Sequence, residues 1–362
     1  MGITISEYLL NKVKTLHRLS ALITIDIGGA TMFLSLVEAS IEENRPISEK
    51  EAEKLLSTKG MSFMLNAYED VLSISRWDLI LILTNLGSAQ PYHRDPIKRR
   101  LEEGFRSCYH LEAVNRLHRG VEEASRINFG VAEEKALRYL PPKTDIESTV
   151  YLTVDAFNPG MVQGGNVGLS ILSGLDKVNM DHMAHEFHHI GFMNCLSKRP
   201  RLMRRVMKPV MPEEIAIQLI CHLVLEGMAN HYCTPGAVKK GNHKSPRANE
   251  KIQEYEQDVN TILGEIWSLA KDCMKGDKPL EEYQRRTMEI LIDKESILPK
   301  VHFAGEKIIA ILEEDSTSLE EIIDLCNRPE NVVQLYAEPA KKRGLPYLPP
   351  EMITEKLREI LD

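Results

Sequence analysis

The segment His185–His189, with the sequence His-Glu-Phe-His-His, constrains the fold of this chain more than any other feature. The surrounding pattern predicts a single helix from Asp176 to Cys195. In a helix, residues four apart lie one turn apart on the same face, so His185 and His189 present their imidazoles to the same side. Two imidazoles placed in this way can bind one metal ion. The fold must then bring a further ligand against this helix from another element.

Glu186 supplies this segment with a carboxylate beside the two potential metal ligands. It follows His185 by one residue and therefore points about 100° further round the helix. From there its carboxylate can reach a metal-bound water without displacing that water. The pattern His-Glu-x-x-His is the arrangement found in zinc hydrolases.

The third ligand is expected on a second predicted helix, at residues 211–233. A catalytic zinc site takes three protein ligands and keeps one position open for water. Glu226 is the best candidate, because the small residues Gly227 and Ala229 beside it would let the two helices approach closely.

These residues resemble those of the gluzincins, zinc peptidases of the zincin (peptidase MA) clan. In gluzincins a Glu on a following helix, in a Glu-Gly-x-Ala-like setting, completes the site, and Glu226–Ala229 matches that setting. The resemblance covers roughly residues 148–233 and is closest to little-characterised zinc-dependent peptidases with a His-Glu-x-His-His motif. It implies Zn²⁺ as the cofactor, with His185, His189 and Glu226 as its ligands. It further implies Glu186 as the general base and a peptide or protein as the substrate.

The resemblance also directs attention to the surroundings of the ligands. The family often has an Asp four residues after the third ligand, whereas this chain has Asn230, which accepts a hydrogen bond but carries no charge. His222 lies one turn before Glu226 on the same helical face and is expected to point toward the site, as a neighbour or as a rival ligand. His231 and Tyr232 are the nearest candidates for the donor that stabilises an oxyanion.

Most of the chain predicts helices. Strand signals are fewer, and residues 148–173 carry the clearest of them, as two runs joined by a glycine-rich connection. The expected fold is therefore α+β and predominantly α, with a zincin-like core whose small sheet precedes the metal-binding helix. One of its strands could serve as an edge for substrate. The expected regions are a helical one at 1–145, the metal-binding core at 146–235, and a helical one at 236–362 that forms one compact unit with the core. The segments predicted to be helical are 6–18, 96–127, 176–195, 211–233, 249–274, 279–292 and 299–313.

The net charge and the cysteines of the chain limit which binding partners and which cellular location we expect. The formal net charge of −8 argues against a general nucleic-acid binder, and no apolar run reaches the ~18 residues that span a membrane. The six cysteines are scattered and form no Cys-x-x-Cys pair, and the chain has no Asn-x-Ser/Thr sequon. We therefore expect a reducing, cytoplasmic location. The oligomeric state is left open.

Three alternatives remain beside the peptidase hypothesis. A non-catalytic metal-binding or scaffold protein could keep a zincin fold. A di-iron site could use Glu186 with His189, but it needs a second Glu-x-x-His, which this sequence lacks. The segment Asp26–Thr31 is similar to the phosphate-binding turn of sugar kinases, although a strand running into a helix explains it better.

Overall fold

The structure is a computed structural model that describes residues 23–155, 160–173, 180–239, 246–292, 298–345 and 349–361. Within these ranges most residues are helical and the strands form one small sheet. The predicted α+β, predominantly α class is therefore confirmed. The helix predicted at 6–18 and the N-terminal part of the helix predicted from Asp176 lie outside the described residues.

The strands are β1 (Ile23–Asp26), β2 (Ser148–Thr153), β3 (Gly160–Gln163) and β4 (Asn166–Ser170). The α-helices are α1 (Gly28–Glu42), α2 (Glu49–Leu56), α3 (Lys59–Leu72), α4 (Arg76–Thr84), α5 (Pro96–Arg106), α6 (Leu111–Ala124), α7 (Gly130–Leu137), α8 (Met180–Ser197), α9 (Pro200–Met207), α10 (Pro212–Met228), α11 (Pro246–Gln257), α12 (Val259–Lys275), α13 (Leu280–Leu291), α14 (Lys300–Glu314), α15 (Leu319–Asp324), α16 (Val332–Lys342) and α17 (Glu351–Leu361). Single turns of 3₁₀-helix occur at Ile171–Ser173 and Pro329–Asn331, and a π-helical turn at Ala229–Cys233.

The sheet has the strand order β1-β2-β4-β3. β2 pairs in parallel with both β1 and β4, while β3 pairs antiparallel with β4. The two strands predicted in 148–173 are β2 and β4, but β3 lies in the stretch that the sequence suggested as a connection. Gly164 and Gly165 join β3 to β4 with φ of 55° and 78°, and a two-residue hairpin turn favours glycine for such angles. β3 therefore forms an edge of the described sheet.

The residues near Asp26 form a strand followed by a helix. β1 ends at Asp26, and its side-chain Oδ1 accepts a hydrogen bond from the amide of Gly28 at the start of α1, 2.9 Å away. Helix α1 buries Phe33, Leu34 and Val37. The side chain of Asp26 thus serves the start of a packed helix, as the simpler sequence interpretation expected.

Two predicted helices are divided in the structure. The helix predicted at 96–127 becomes α5 and α6, because His110 caps the second one by accepting a hydrogen bond from the amide of Ala113 through Nδ1, at 3.2 Å. The helix predicted at 249–274 becomes α11 and α12, with Asp258 as the N-cap residue of α12. The side chain of Asp258 makes no capping hydrogen bond, so only the first interruption is marked by a cap. Hydrophobic periodicity continues across both breaks and locates neither of them.

The chain divides into two compact units. One unit comprises the described residues up to Ala132 together with Ile146–Glu186, and it contains the whole sheet. The other comprises Glu133–Asp145 with Phe187–Asp362 and is helical. Within it, α10 is buried on most sides and packs against α9, α12, α13 and α14. The three-region division expected from the sequence stays a prediction.

None of the helices in the described ranges combines the length and the apolar character that crossing a membrane requires.

Candidate metal centre

Helix α8 carries the His-Glu-Phe-His-His segment, as predicted. It is buried on nearly all sides, and a helix with apolar residues around its circumference belongs in a protein interior. His185, Glu186 and His189 are consequently buried as well, with 6%, 6% and 9% of their surface exposed. Buried polar side chains need partners to offset the loss of water. The apolar residues of α8 that are buried include Met183, Ala184, Phe187, Ile190, Phe192 and Leu196.

His185, His189 and Glu226 lie together. One ligand atom from each residue can be chosen so that all three atoms fall within 4.8 Å of one another. Nε2 of His189 lies 3.5 Å from Oε1 of Glu226. The structure thus brings together the three residues that the sequence proposed as ligands.

This cluster suits zinc in its donor chemistry and in its spacing. Zn²⁺ binds imidazole nitrogen and carboxylate oxygen at about 2.0–2.2 Å with tetrahedral geometry, so two of its ligand atoms are about 3.4 Å apart. The separation between His189 and Glu226 is close to that value. Two imidazoles and one carboxylate leave one of four positions open, as a catalytic zinc site requires. The donor set therefore fits a zinc ion.

Glu226 is brought to the site by helix α10. The next residue, Gly227, lies against α14, where an added Cβ would be 2.5 Å from the carbonyl oxygen of Gly305. A Cβ on Gly305 would in turn collide with the carbonyl oxygen of Leu223. The two backbones can approach this closely only because both positions lack a side chain. The sequence analysis expected Gly227 to let this helix approach α8. The close contact that Gly227 makes is with α14 instead.

His302 is a site residue that the sequence did not reveal. It lies in the first turn of α14, and its Nδ1 is 3.1 Å from Oε2 of Glu226. Nδ2 of Asn230 is 3.3 Å from the same nitrogen. His302 belongs to no motif and is far from Glu226 in the chain, so no sequence signal pointed to it.

Glu186 has a neighbour on its own helix and another on the sheet. Nε2 of His182 lies 3.4 Å from Oε1 of Glu186. Burial, together with the nearby His185, lowers the pKa of His182 to about 4, so this imidazole is neutral at neutral pH. Gly160, the first residue of β3, lies so close that a Cβ there would be 2.6 Å from the same nitrogen. The edge strand thus lies directly beside the carboxylate predicted as the general base.

His188 lies between the two proposed ligands in the sequence but on another face of α8. It is fully buried, and its Nε2 lies 3.2 Å from the carbonyl oxygen of Tyr139. The contact ties α8 to the segment that follows α7.

Asn230 and His222 were expected around the ligands. Asn230 contacts His302, and His302 contacts Glu226. Asn230 is therefore linked to the proposed ligand through His302. His222 directs its Nδ1 at the carbonyl oxygen of Gln218, one turn earlier on α10, at 2.8 Å. A role for either residue at the metal stays a prediction.

His231 and Tyr232 occupy the π-helical turn that follows α10. The ring nitrogens of His231 lie 3.4 Å from Glu306 and 2.8 Å from Glu313. Burial alone would lower the pKa of His231, but its hydrogen bonds to these two carboxylates outweigh burial and raise that pKa. Tyr232 stacks on Tyr139 with ring centroids 4.3 Å apart.

Burial also raises the pKa of the Tyr232 phenol, so the hydroxyl keeps its proton at neutral pH. A protonated hydroxyl and a histidine held between two carboxylates can both donate hydrogen bonds. The contacts of His231 are with Glu306 and Glu313, and the ring of Tyr232 packs on Tyr139. Oxyanion stabilisation by either residue stays a prediction.

Comparison with known families agrees with this geometry. Residues 114–344, well over half of the chain, match the family described as "Putative zinc dependent peptidase (DUF5700)". The chain belongs to that family. The matched range contains α8, α10 and α14, the three helices that carry the cluster and His302. No curated protein and no solved structure gives a significant match.

Proposed function

We propose that the chain is a gluzincin-like zinc metallopeptidase that binds Zn²⁺ through His185, His189 and Glu226. The observation that carries the proposal is the cluster of these three side chains in a member of a zinc-peptidase family. Glu186 adds the group that hydrolysis needs, a buried carboxylate one residue from a ligand. A purely structural metal site would have no use for it.

The proposed chemistry divides between the metal and Glu186. Zinc, when bound, supplies a positive charge that lowers the pKa of a nearby water and polarises the scissile carbonyl. Glu186 accepts the proton of the attacking water and passes it to the leaving amine. His182 contacts Oε1 of Glu186 at 3.4 Å and limits where that carboxylate can move. His231 and Tyr232 are retained as candidate donors to the oxyanion.

The proposed substrate is an extended peptide that lies along β3. This strand forms the edge of the described sheet and is antiparallel to β4. An exposed edge can bind a peptide through main-chain hydrogen bonds. Because Gly160 of β3 lies beside His182 and Glu186, a peptide on this edge would pass close to the proposed general base.

The substitution Glu186→Gln tests catalysis separately from metal binding. Glutamine has nearly the same shape but cannot accept the proton, so we expect full zinc content and a loss of peptide hydrolysis of at least about 100-fold. Asp181→Asn is the matched control, because it removes an exposed carboxylate from the same helix. Zinc would be measured by elemental analysis, and cleavage of a proteome-derived peptide mixture by mass spectrometry.

Two results would contradict the proposal. If Glu186→Gln retains zinc and cleaves the mixture as fast as the wild-type protein, Glu186 is not the general base. If the zinc-loaded wild-type protein cleaves nothing, the non-catalytic scaffold is the better description.

A further inference from the structure

The two carboxylate oxygens of Glu226 face two different histidines. Oε1 lies 3.5 Å from Nε2 of His189, the second imidazole of α8. Oε2 lies 3.1 Å from Nδ1 of His302 on α14. The side chain of Glu226 is only 12% exposed, so water contributes little to fixing its orientation. The contact with His302 therefore helps decide which oxygen is turned toward the proposed metal ligands.

The contact with Oε2 also defines what His302 does chemically. The nitrogen and the oxygen are 3.1 Å apart, close enough for a hydrogen bond once the ring turns to align them. An ionised carboxylate only accepts hydrogen bonds, so in that bond Nδ1 of His302 is the donor. A hydrogen bond to a charged partner is about twice as strong as one between neutral groups. This donor can therefore hold the carboxylate in one rotamer.

A donating Nδ1 requires the amide of Asn230 to be turned over. As placed, Nδ2 of Asn230 lies 3.3 Å from Nδ1 of His302, and Oδ1 of Asn230 accepts from the hydroxyl of Thr234 at 3.4 Å. The two ends of an amide are assigned from their hydrogen-bond partners. With the oxygen of Asn230 turned toward His302, the single Nδ1 hydrogen is shared between that oxygen and Oε2 of Glu226, and the amide nitrogen donates to the hydroxyl of Thr234. Because Asn230 is neutral, it does this without adding a second negative charge beside Glu226.

The fold itself holds His302 in reach. Gly305 lies one helical turn after His302, at the point where α14 meets the backbone of α10 beside Gly227. The close crossing of the two helices thus places the histidine of one next to the carboxylate of the other.

We propose that His302 is a positioning residue, which donates through Nδ1 to Oε2 of Glu226 and leaves Oε1 directed toward the two imidazoles of α8. This inference rests on the proposed function, in which Glu226 is a zinc ligand. A group that orients a metal ligand raises metal affinity without touching the metal, and its loss typically costs 10- to 100-fold in that affinity.

Three substitutions of His302 test which atom matters. Asparagine places an amide nitrogen near the position of Nδ1, glutamine places one near Nε2, and leucine places none. We expect His302→Asn to keep a zinc affinity close to that of the wild-type protein. We expect His302→Gln and His302→Leu to weaken it by about 10- to 100-fold. Affinity would be measured by competition with a chromogenic chelator at fixed pH.

The control variant is His118→Leu, which removes a histidine on α6 that lies near Glu38. Its zinc affinity should equal that of the wild-type protein. Circular dichroism would confirm that each variant is folded. If His302→Leu fails to fold, the comparison of His302→Asn with His302→Gln still tests the proposal. The absorption spectrum of the Co²⁺-loaded protein, a second readout, should change in the Gln variant and stay unchanged in the Asn variant.

The outcomes separate this inference from the proposed function. Wild-type affinity in both His302→Leu and His302→Gln overturns the positioning role and leaves the zinc peptidase standing. Equal damage in the Asn and Gln variants also overturns it, because a donor at the position of Nδ1 would then not be what matters. A wild-type protein that binds no zinc overturns the proposed function and this inference together.

Discussion

The sheet approaches the proposed general base at Gly160, a residue without a side chain. Gly160 begins β3, and a Cβ there would lie 2.6 Å from Nε2 of His182 and 3.4 Å from Oε1 of Glu186. Non-bonded atoms do not approach to 2.6 Å unless they are hydrogen-bonded, so one of the groups would have to move. The imidazole of His182 is the movable one, and it contacts Glu186 at 3.4 Å.

The substitution Gly160→Ala should therefore lower catalysis without removing zinc. The added methyl group displaces His182, and the carboxylate of Glu186 loses its neighbour and shifts. A misplacement of about 1 Å at a reacting group can cost about 100-fold in rate, so we expect a fall in kcat of up to that size with unchanged zinc content. Steady-state kinetics and elemental analysis measure the two quantities.

The double variant Gly160→Ala/His182→Ala identifies the cause. Groups that act through one contact give non-additive effects. If the methyl group acts by pushing His182, then Gly160→Ala should have little further effect once His182 is truncated. Additive losses in the double variant would place the cause elsewhere in β3.

At the scale of elements, the crossing of α10 and α14 determines the position of two site residues. Glu226 lies on α10 and His302 on α14, and the helices meet at Gly227 and Gly305 with their backbones in direct contact. Helix axes usually pack 8–10 Å apart, depending on the side chains at the contact. Two glycines allow the lower end of that range, so a methyl group at either position would separate the helices.

The substitution Gly305→Ala should destabilise the protein and weaken zinc binding. Replacing glycine by alanine inside a helix gains about 1 kcal/mol from helix propensity. Overpacking a buried contact costs about 1–3 kcal/mol and sometimes more, and here the methyl group meets a backbone carbonyl that cannot rotate away. We expect a net loss of about 1–2 kcal/mol in the free energy of unfolding, measured by urea denaturation.

Gly130→Ala is the matched control for that measurement. It also adds a methyl group to a helical glycine, at the start of α7, where the nearest atom is the side-chain oxygen of Asn128, 3.0 Å away. This oxygen accepts a hydrogen bond from the amide of Gly130 at 2.9 Å, and the exposed side chain can shift by a few tenths of an ångström while keeping that bond. We therefore expect a change within about 0.5 kcal/mol. A Gly305→Ala variant as stable as this control would show that the crossing tolerates a side chain.

The sequence predicted the elements whose signals are local. His185 and His189 are four residues apart in one predicted helix, and Glu226 lies in a second predicted helix with small neighbours. The sequence therefore pointed to all three residues. β3 was missed because four residues that begin with glycine carry little strand preference of their own, and their order comes from pairing with β4. His302 was missed for a related reason, since only the approach of α14 at Gly305 connects it with Glu226.

For the whole molecule, the proposed zinc ion should contribute to stability. A ligand that binds only the folded state stabilises it by about 2.7 kcal/mol at a concentration 100 times its dissociation constant. The three proposed ligands lie on α8 and α10, which are distant in the chain and are close only when the protein is folded. The unfolded chain can offer the pair on α8 but not the third ligand in place, so its affinity for zinc should be much lower.

Adding Zn²⁺ to metal-free protein should therefore raise Tm by about 3–4 °C at 100 times the dissociation constant, and a chelator should reverse the rise. Glu186→Gln should show the full rise, because Glu186 is not a ligand in the proposed site. His189→Ala should show little of it, because two of the three ligands cannot hold the ion as tightly. Differential scanning calorimetry measures both variants under the same conditions. A rise in His189→Ala equal to that of the wild-type protein would mean that zinc stabilises the fold through a different group of residues.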